Sequence, residues 1–236
     1  MIWCLHGFLG QGSDWDQVRP SLREAGLESC APSLFSGREE ILPIERWAEQ
    51  FTALVRRQDS EPVLLGYSMG GRLALHALLG APSMFRAAVI VSAGLGTEGE
   101  QKREDRRERD EQWARDFEND PWEELLERWN DLDVFGGSPV AFDRREEEFD
   151  RGSLAGAMRL WSPARQEFLL AKLSGLDVPV LWLAGENDER YVAEGRRAVA
   201  ALDRGQLKVI PGAGHRVPWE NPRGFLAEVL PFLRRP

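Results

Sequence analysis

The sequence predicts an α/β domain: a mainly parallel sheet with helices on both faces and an inserted all-helical cap. Three observations predict it. Short apolar, β-rich runs recur along the 236 residues, with helical patterns between most of them. One such run, Val63-Leu64-Leu65, passes through Gly66-Tyr67-Ser68-Met69-Gly70-Gly71 directly into a helical pattern from Leu73 onward. The alternation then breaks between about residue 98 and residue 175, where helical patterns occur without a good strand.

Taken in order, the first strand is expected at residues 2–5, leading into the glycine-rich loop His6-Gly7-Phe8-Leu9-Gly10. This apolar start has no basic segment before it, and His6 interrupts it at once, so it reads as a strand and not as a signal peptide. Further strands are expected around Cys30 and at residues 63–65, 87–92, 178–183 and 207–210. Four helices are expected in the insertion. Residues 101–118 form one long, highly charged helix. Asp120-Pro121 starts a second, with aspartate capping and proline at the first helical position. Asp143 followed by Glu146 resembles a capping box and starts a third, which Arg151 closes. Ser162-Pro163 starts a fourth, ending near Leu173. An all-helical insertion between two strands is most simply a cap over the strands' C-terminal edge, where ligands bind in open α/β sheets. The expected division is a core of residues 1–97 and 176–236 and a helical cap of residues 98–175.

Composition narrows the function classes. At 42% hydrophobic the chain can bury a large core, and it has no long uncharged apolar run that would span a membrane. Of 30 basic and 39 acidic side chains, residues 98–151 hold 10 and 20, leaving 20 and 19 elsewhere. The net charge of −9 therefore belongs to the insertion, and neither part shows the basic face of a nucleic-acid binder. The two cysteines, Cys4 and Cys30, read as reduced core thiols of a cytoplasmic protein. Three histidines without paired spacing give no metal site. Monomer and homo-oligomer both fit the sequence.

Strand, Gly-x-Ser-x-Gly, helix is the context of a nucleophile elbow, which lifts Ser68 above the sheet on a tight turn. Its base is expected to be His215, in Gly212-Ala213-Gly214-His215 just after the last strand. The acid should follow the strand before it; Asp188 in Gly185-Glu186-Asn187-Asp188 is the choice, with Glu186 in reserve. The order Ser68, Asp188, His215 is that of the α/β-hydrolase fold. Backbone N–H groups of Phe8 and Met69 are expected to form the oxyanion hole. His6 is expected to shape that loop, and His76 to pack or cap.

Arg72 lies one helical turn past Ser68 and so faces the same way. An ester pocket has no evident need of a cation there, whereas a substrate with carboxylates does. Helical spacing puts Arg106, Asp110, Trp113 and Phe117 on one face of the long helix, and the aromatics turn that face inward. Arg103, one turn earlier, is open between the cleft and a surface ion pair.

These residues together resemble the 2-succinyl-6-hydroxy-2,4-cyclohexadiene-1-carboxylate synthases of menaquinone (vitamin K2) biosynthesis. The resemblance runs nearly end to end: Leu5-His6-Gly7-Phe8-Leu9-Gly10, Asp14-Trp15, the elbow through Leu75, Gly94-Leu95, Arg106 to Phe117, Trp129, Val134-Phe135, Gly185 to Asp188, and Gly212 to His215 with Glu220-Asn221-Pro222. It implies a lyase without a cofactor, in which Ser68, His215 and Asp188 act as a base that expels pyruvate from a succinyl-enolpyruvyl precursor. It implies Arg72, Arg106, Arg151, Trp129 and Tyr67 as substrate-binding residues. The implied partner is a small-molecule polycarboxylate. Three differences from the family are visible: Asn130 stands where an aromatic hydroxyl often follows the tryptophan, the cap is shortened after Arg151, and the N-terminal hairpin common in the fold has no counterpart. A carboxylesterase or thioesterase with the same triad is the alternative reading, and a non-catalytic binding protein on the same scaffold the third.

Overall fold

The computed structural model describes residues 1–35, 40–140 and 142–234. Six strands, β1 (Ile2–Leu5), β2 (Ser29–Cys30), β3 (Val63–Tyr67), β4 (Ala87–Val91), β5 (Val180–Gly185) and β6 (Gly205–Ile210), form one sheet. Their order is β2-β1-β3-β4-β5-β6 and every pairing is parallel. The central strands are buried on both faces, which is why they read as unbroken apolar runs rather than alternating ones. Trp3, Leu5, Leu64, Ile90 and Trp182 point to one core, and Ile2, Cys4, Leu65, Val89 and Leu183 to the other.

Helices cover both cores. α1 (Arg19–Glu24) lies on the face of Cys4, while α2 (Ile44–Gln58) and α3 (Met69–Gly80) lie on the face of Trp3. Between β4 and β5 come α4 (Glu100–Asn119), α5 (Trp122–Asn130) and α6 (Arg151–Leu160). α7 (Glu189–Ala201), α8 (Val217–Glu220) and α9 (Pro222–Leu233) complete the chain, α9 closing the Cys4 face with Phe225, Val229 and Phe232. The strand order reverses between β1 and β3, so the loops that follow these two strands open onto one crevice. Those loops carry His6-Gly7-Phe8 and Ser68.

The insertion departs from expectation at three helix boundaries. Asp120 does not cap α5: its N–H still closes α4 on Asp116 O at 2.9 Å, its carboxylate binds Arg128, and α5 starts only at Trp122. Asp143 and Glu146 produce only a 3₁₀ turn at Glu146–Glu148. The third helix is capped instead by Asp150, which accepts from Ser153 N at 2.7 Å and Ser153 Oγ at 2.9 Å. Arg151 therefore opens that helix rather than closing it. The helix expected from Ser162 does not form; a turn and a 3₁₀ segment at Leu169–Lys172 take its place. The reason is tertiary. Pro163 O accepts from Thr97 N at 2.9 Å, and Leu169 N donates to Leu95 O at 2.9 Å, so the stretch after β4 uses the groups that helix needed.

Candidate active site

Ser68 is held by its backbone before any partner is considered. Its φ of 52° and ψ of −113° are strained for a side chain with a Cβ. The flanking glycines make that turn possible. A Cβ on Gly66 would lie 2.5 Å from Gly70 O, and one on Gly70 would lie 2.3 Å from Leu5 O. Only bare backbones can approach so closely. The result is a serine at the head of α3, where Met69 is the first helical residue and its N–H has no partner within the helix.

His215 reaches Ser68 from the loop after β6: Nε2 is 3.0 Å from Ser68 Oγ. Its Nδ1 is 2.7 Å from Asp188 Oδ2. Asp188 has a second task, since its Oδ1 also accepts from Tyr191 N and caps α7. Glu186 lies elsewhere, exposed and accepting from Gly212 N at 2.9 Å, so it braces the histidine's loop. Both His215 and Asp188 are buried. A hydroxyl, an imidazole and a carboxylate in this line can move a proton from Ser68 to His215 while Asp188 fixes the imidazole tautomer.

His6 shapes the loop opposite. It is completely buried, and Nε2 accepts from Leu34 N at 2.8 Å, so Nδ1 carries the proton and donates to Gly7 O at 2.8 Å. Burial lowers its pKa to about 4, which keeps it neutral. The Phe8 ring packs 4.9 Å from Trp129 and 5.1 Å from Phe117, fixing the loop from above. His76 sits on α3, lowered to about 4 by burial and then by the Arg72 charge.

A cleft of about 350 Å³ opens over Ser68 and His215 and is lined by Arg72, Arg106, Trp113, Trp129 and Tyr191 among others. That volume suits a small molecule. Arg72 forms its floor. The guanidinium is buried and donates to Trp161 O at 2.6 Å and Gln166 Oε1 at 2.7 Å, both neutral acceptors. Among the described residues no carboxylate is within ion-pair distance of it. Burial, and then the charge of Arg106, lower its pKa to about 10. Arg106 binds both oxygens of Asp110 through Nε, at 2.8 and 2.9 Å. Arg109 and Arg190, both exposed, also line the cleft.

Other expected residues lie differently. Arg151 is outside this cleft: it pairs with Glu146 at 2.7 Å and donates to Phe117 O and Asp120 O, tying down the C-terminus of α4. Its place at the first turn of α6, rather than the last, directs it there. Arg103 donates to Thr97 O at 2.9 Å, also outside the cleft. Tyr67 is buried below His215, with ring centroids 5.5 Å apart, and faces a second, smaller cavity rather than the main cleft. Burial pushes its phenol pKa up. Sequence reasoning missed Tyr191, whose ring lies 4.5 Å from that of His215. The signal was present: Asp188 caps α7, and a capping aspartate carries the residue three positions on to its own side of the helix.

A strained serine at a strand-to-helix turn, its histidine and aspartate on later loops, and a parallel sheet beneath helices define an enzyme of the α/β-hydrolase class. The chain belongs to the alpha/beta hydrolase family, whose model matches residues 4–229, and within it to the 2-succinyl-6-hydroxy-2,4-cyclohexadiene-1-carboxylate synthases. It is 30% identical to the synthase of that name from Pectobacterium atrosepticum, over 99% of this chain and 93% of that protein. It is 31% identical to the one from Yersinia pestis, over 99% of this chain and 86% of that protein. MenH from S. aureus has the same fold, with a TM-score of 0.90 at 22% identity over 99% of this chain and 92% of that one.

Proposed function

We propose that the enzyme makes 2-succinyl-6-hydroxy-2,4-cyclohexadiene-1-carboxylate by eliminating pyruvate from a succinyl-enolpyruvyl-cyclohexene carboxylate. The observation that carries this reading is Arg72: a buried cation one turn past Ser68, facing Arg106 and meeting only neutral acceptors. An uncompensated buried charge is costly, and an anionic substrate supplies what it lacks. A neutral ester does not. The names of the curated relatives point the same way.

In the proposed reaction His215 takes the Ser68 proton, and Ser68 Oγ takes a proton from the ring carbon beside the succinyl carbonyl. The electron pair of that C–H bond moves into the ring, its double bond shifts, and the C–O bond to the enolpyruvyl group breaks. Pyruvate leaves. The Phe8 and Met69 N–H groups are assigned to the charge that gathers on the carbonyl oxygen. Asp188 holds His215 throughout. Arg72 and Arg106 hold carboxylates, and Trp129 walls the cleft. The scheme calls for no cofactor, and free Cys4 and Cys30 support a cytoplasmic location, where thiols stay reduced.

The test is pyruvate release from the precursor, run beside hydrolysis of a neutral aryl ester. The reading expects rapid pyruvate release that depends on Arg72 and Arg106. Fast ester turnover indifferent to both arginines would instead make the enzyme an esterase.

A further inference from the structure

The precursor carries three carboxylates. The main cleft offers Arg72 and Arg106, with Arg109 and Arg190 exposed in its lining, and Arg151 is committed elsewhere. A second cavity of about 60 Å³ also touches Ser68, and it shares Phe8, Trp129 and Phe135 with the cleft. Two arginines line it. Arg144 is neutralised by Asp14 at 2.7 Å. Arg216, the residue after His215, is 6% exposed, and among the described residues no carboxylate lies within ion-pair distance of it. Its Nη2 donates to Asn130 Oδ1 at 2.7 Å and its Nη1 to Val140 O, and the Tyr67 hydroxyl is a further neighbour. Its flat face lies 4.0 Å from the centroid of the Phe135 ring.

Arg216 thus repeats the situation of Arg72: a buried cation beside the nucleophile, bonded to neutral groups. The two approach Ser68 from different sides. Arg72 sits with Trp161, in the core on the Trp3 face, whereas Arg216 sits with Tyr67, Phe142 and Trp219, over the Cys4 face. A residue that only fastened the insertion to the sheet would not need a charge to do so. The cavity has room for a carboxylate.

We propose that Arg216 binds one substrate carboxylate in this small cavity, so that the polyanion spans Ser68 between Arg72 and Arg216. The inference rests on the polycarboxylate reading above and adds a subsite to it. Asn130 gains a role as a positioning residue. Its amide oxygen accepts from Arg216 Nη2 and holds the guanidinium at the cavity wall.

The experiment compares the wild type with Arg216→Met, Arg216→Lys and Asn130→Ala. Melting temperature and circular dichroism establish folding. Calorimetric binding of tricarballylate, a small tricarboxylate, is measured without turnover. KM for pyruvate release is then measured with the precursor and with each of its three monomethyl esters. The proposal expects Arg216→Met to weaken tricarballylate and to raise KM for the precursor roughly 10- to 100-fold. It expects lysine to recover part of that loss, and one monoester alone to be indifferent to the substitution. Unchanged tricarballylate binding in a folded variant, or equal losses with all three monoesters, would overturn it. If Arg216→Met does not fold, the lysine and Asn130 variants carry the same comparison, with unchanged tricarballylate binding in both again counting against the proposal. A wild type that releases no pyruvate, yet loses tricarballylate on Arg216 substitution, would sink the elimination and leave the carboxylate subsite standing.

Discussion

Replacing Arg72 with methionine separates what this cation does for the substrate from what it costs the fold. Burial and the Arg106 charge lower its pKa from 12.5 to about 10. A cation whose folded pKa is lowered destabilises the fold at every pH below that value, so at pH 7 the penalty is fully present, at about 3 kcal/mol. Methionine removes the charge and keeps most of the apolar stem. It loses the bonds to Trp161 O and Gln166 Oε1, together also worth about 3 kcal/mol. The two effects nearly cancel, and unfolding free energy should change by less than about 2 kcal/mol, or about 8 °C in Tm. Activity has no such offset. A two-pronged guanidinium–carboxylate contact contributes about 3 to 5 kcal/mol, so kcat/KM for the precursor should fall roughly 10²- to 10⁴-fold. Calorimetry and a coupled pyruvate assay on the same preparation make the comparison. A loss below about threefold, or a collapse in Tm large enough to explain the lost activity, would rule out Arg72 as a carboxylate clamp.

Three further outcomes are expected. Asp188→Asn leaves the imidazole in the wrong tautomer; kcat should fall roughly 10²- to 10⁴-fold with KM little changed, as steady-state kinetics would register. His6 has a folded pKa of about 4, below the 6.5 of the unfolded chain, so the unfolded state binds more protons between those values and stability falls as pH drops through that window. Urea titrations at pH 7 and pH 4.5 should show His6→Gln losing about 2 kcal/mol less between the two pH values than the wild type does. Gly70→Ala drives a Cβ into Leu5 O and His6 O, which are backbone atoms and cannot swing aside; it should cost about 3 kcal/mol in chemical denaturation and displace the loop that carries Phe8.

The sheet and the elbow were legible because both are local or periodic. Strands buried on two faces leave unbroken apolar runs, and a serine between glycines at a strand's end needs no distant information. Strand β5 still starts at Val180 rather than at Val178, because pairing with Ala88 of β4 sets its limits. The insertion was harder to read. Helical spacing with Trp113 and Phe117 placed Arg106 on the inward face of α4, where it lines the cleft. It did not place Arg151, whose direction depends on which aspartate caps α6. The helix expected after Ser162 was lost to hydrogen bonds from residues some 70 positions earlier, a contact no local window contains. Arg216 was hidden for a related reason: in sequence it merely follows the histidine, and only the packing of Phe135, Asn130 and Tyr67 around it turns a loop arginine into a buried cation.

In the proposed reaction Ser68 works as a base above a polyanion rather than as an acyl nucleophile. Intact-mass measurement of enzyme quenched during steady-state turnover of the precursor tests it most directly, with released pyruvate counted in the same samples. Pyruvate is expected to accumulate while Ser68 stays unmodified. A succinyl adduct on Ser68 that forms and decays at the rate of turnover would contradict it.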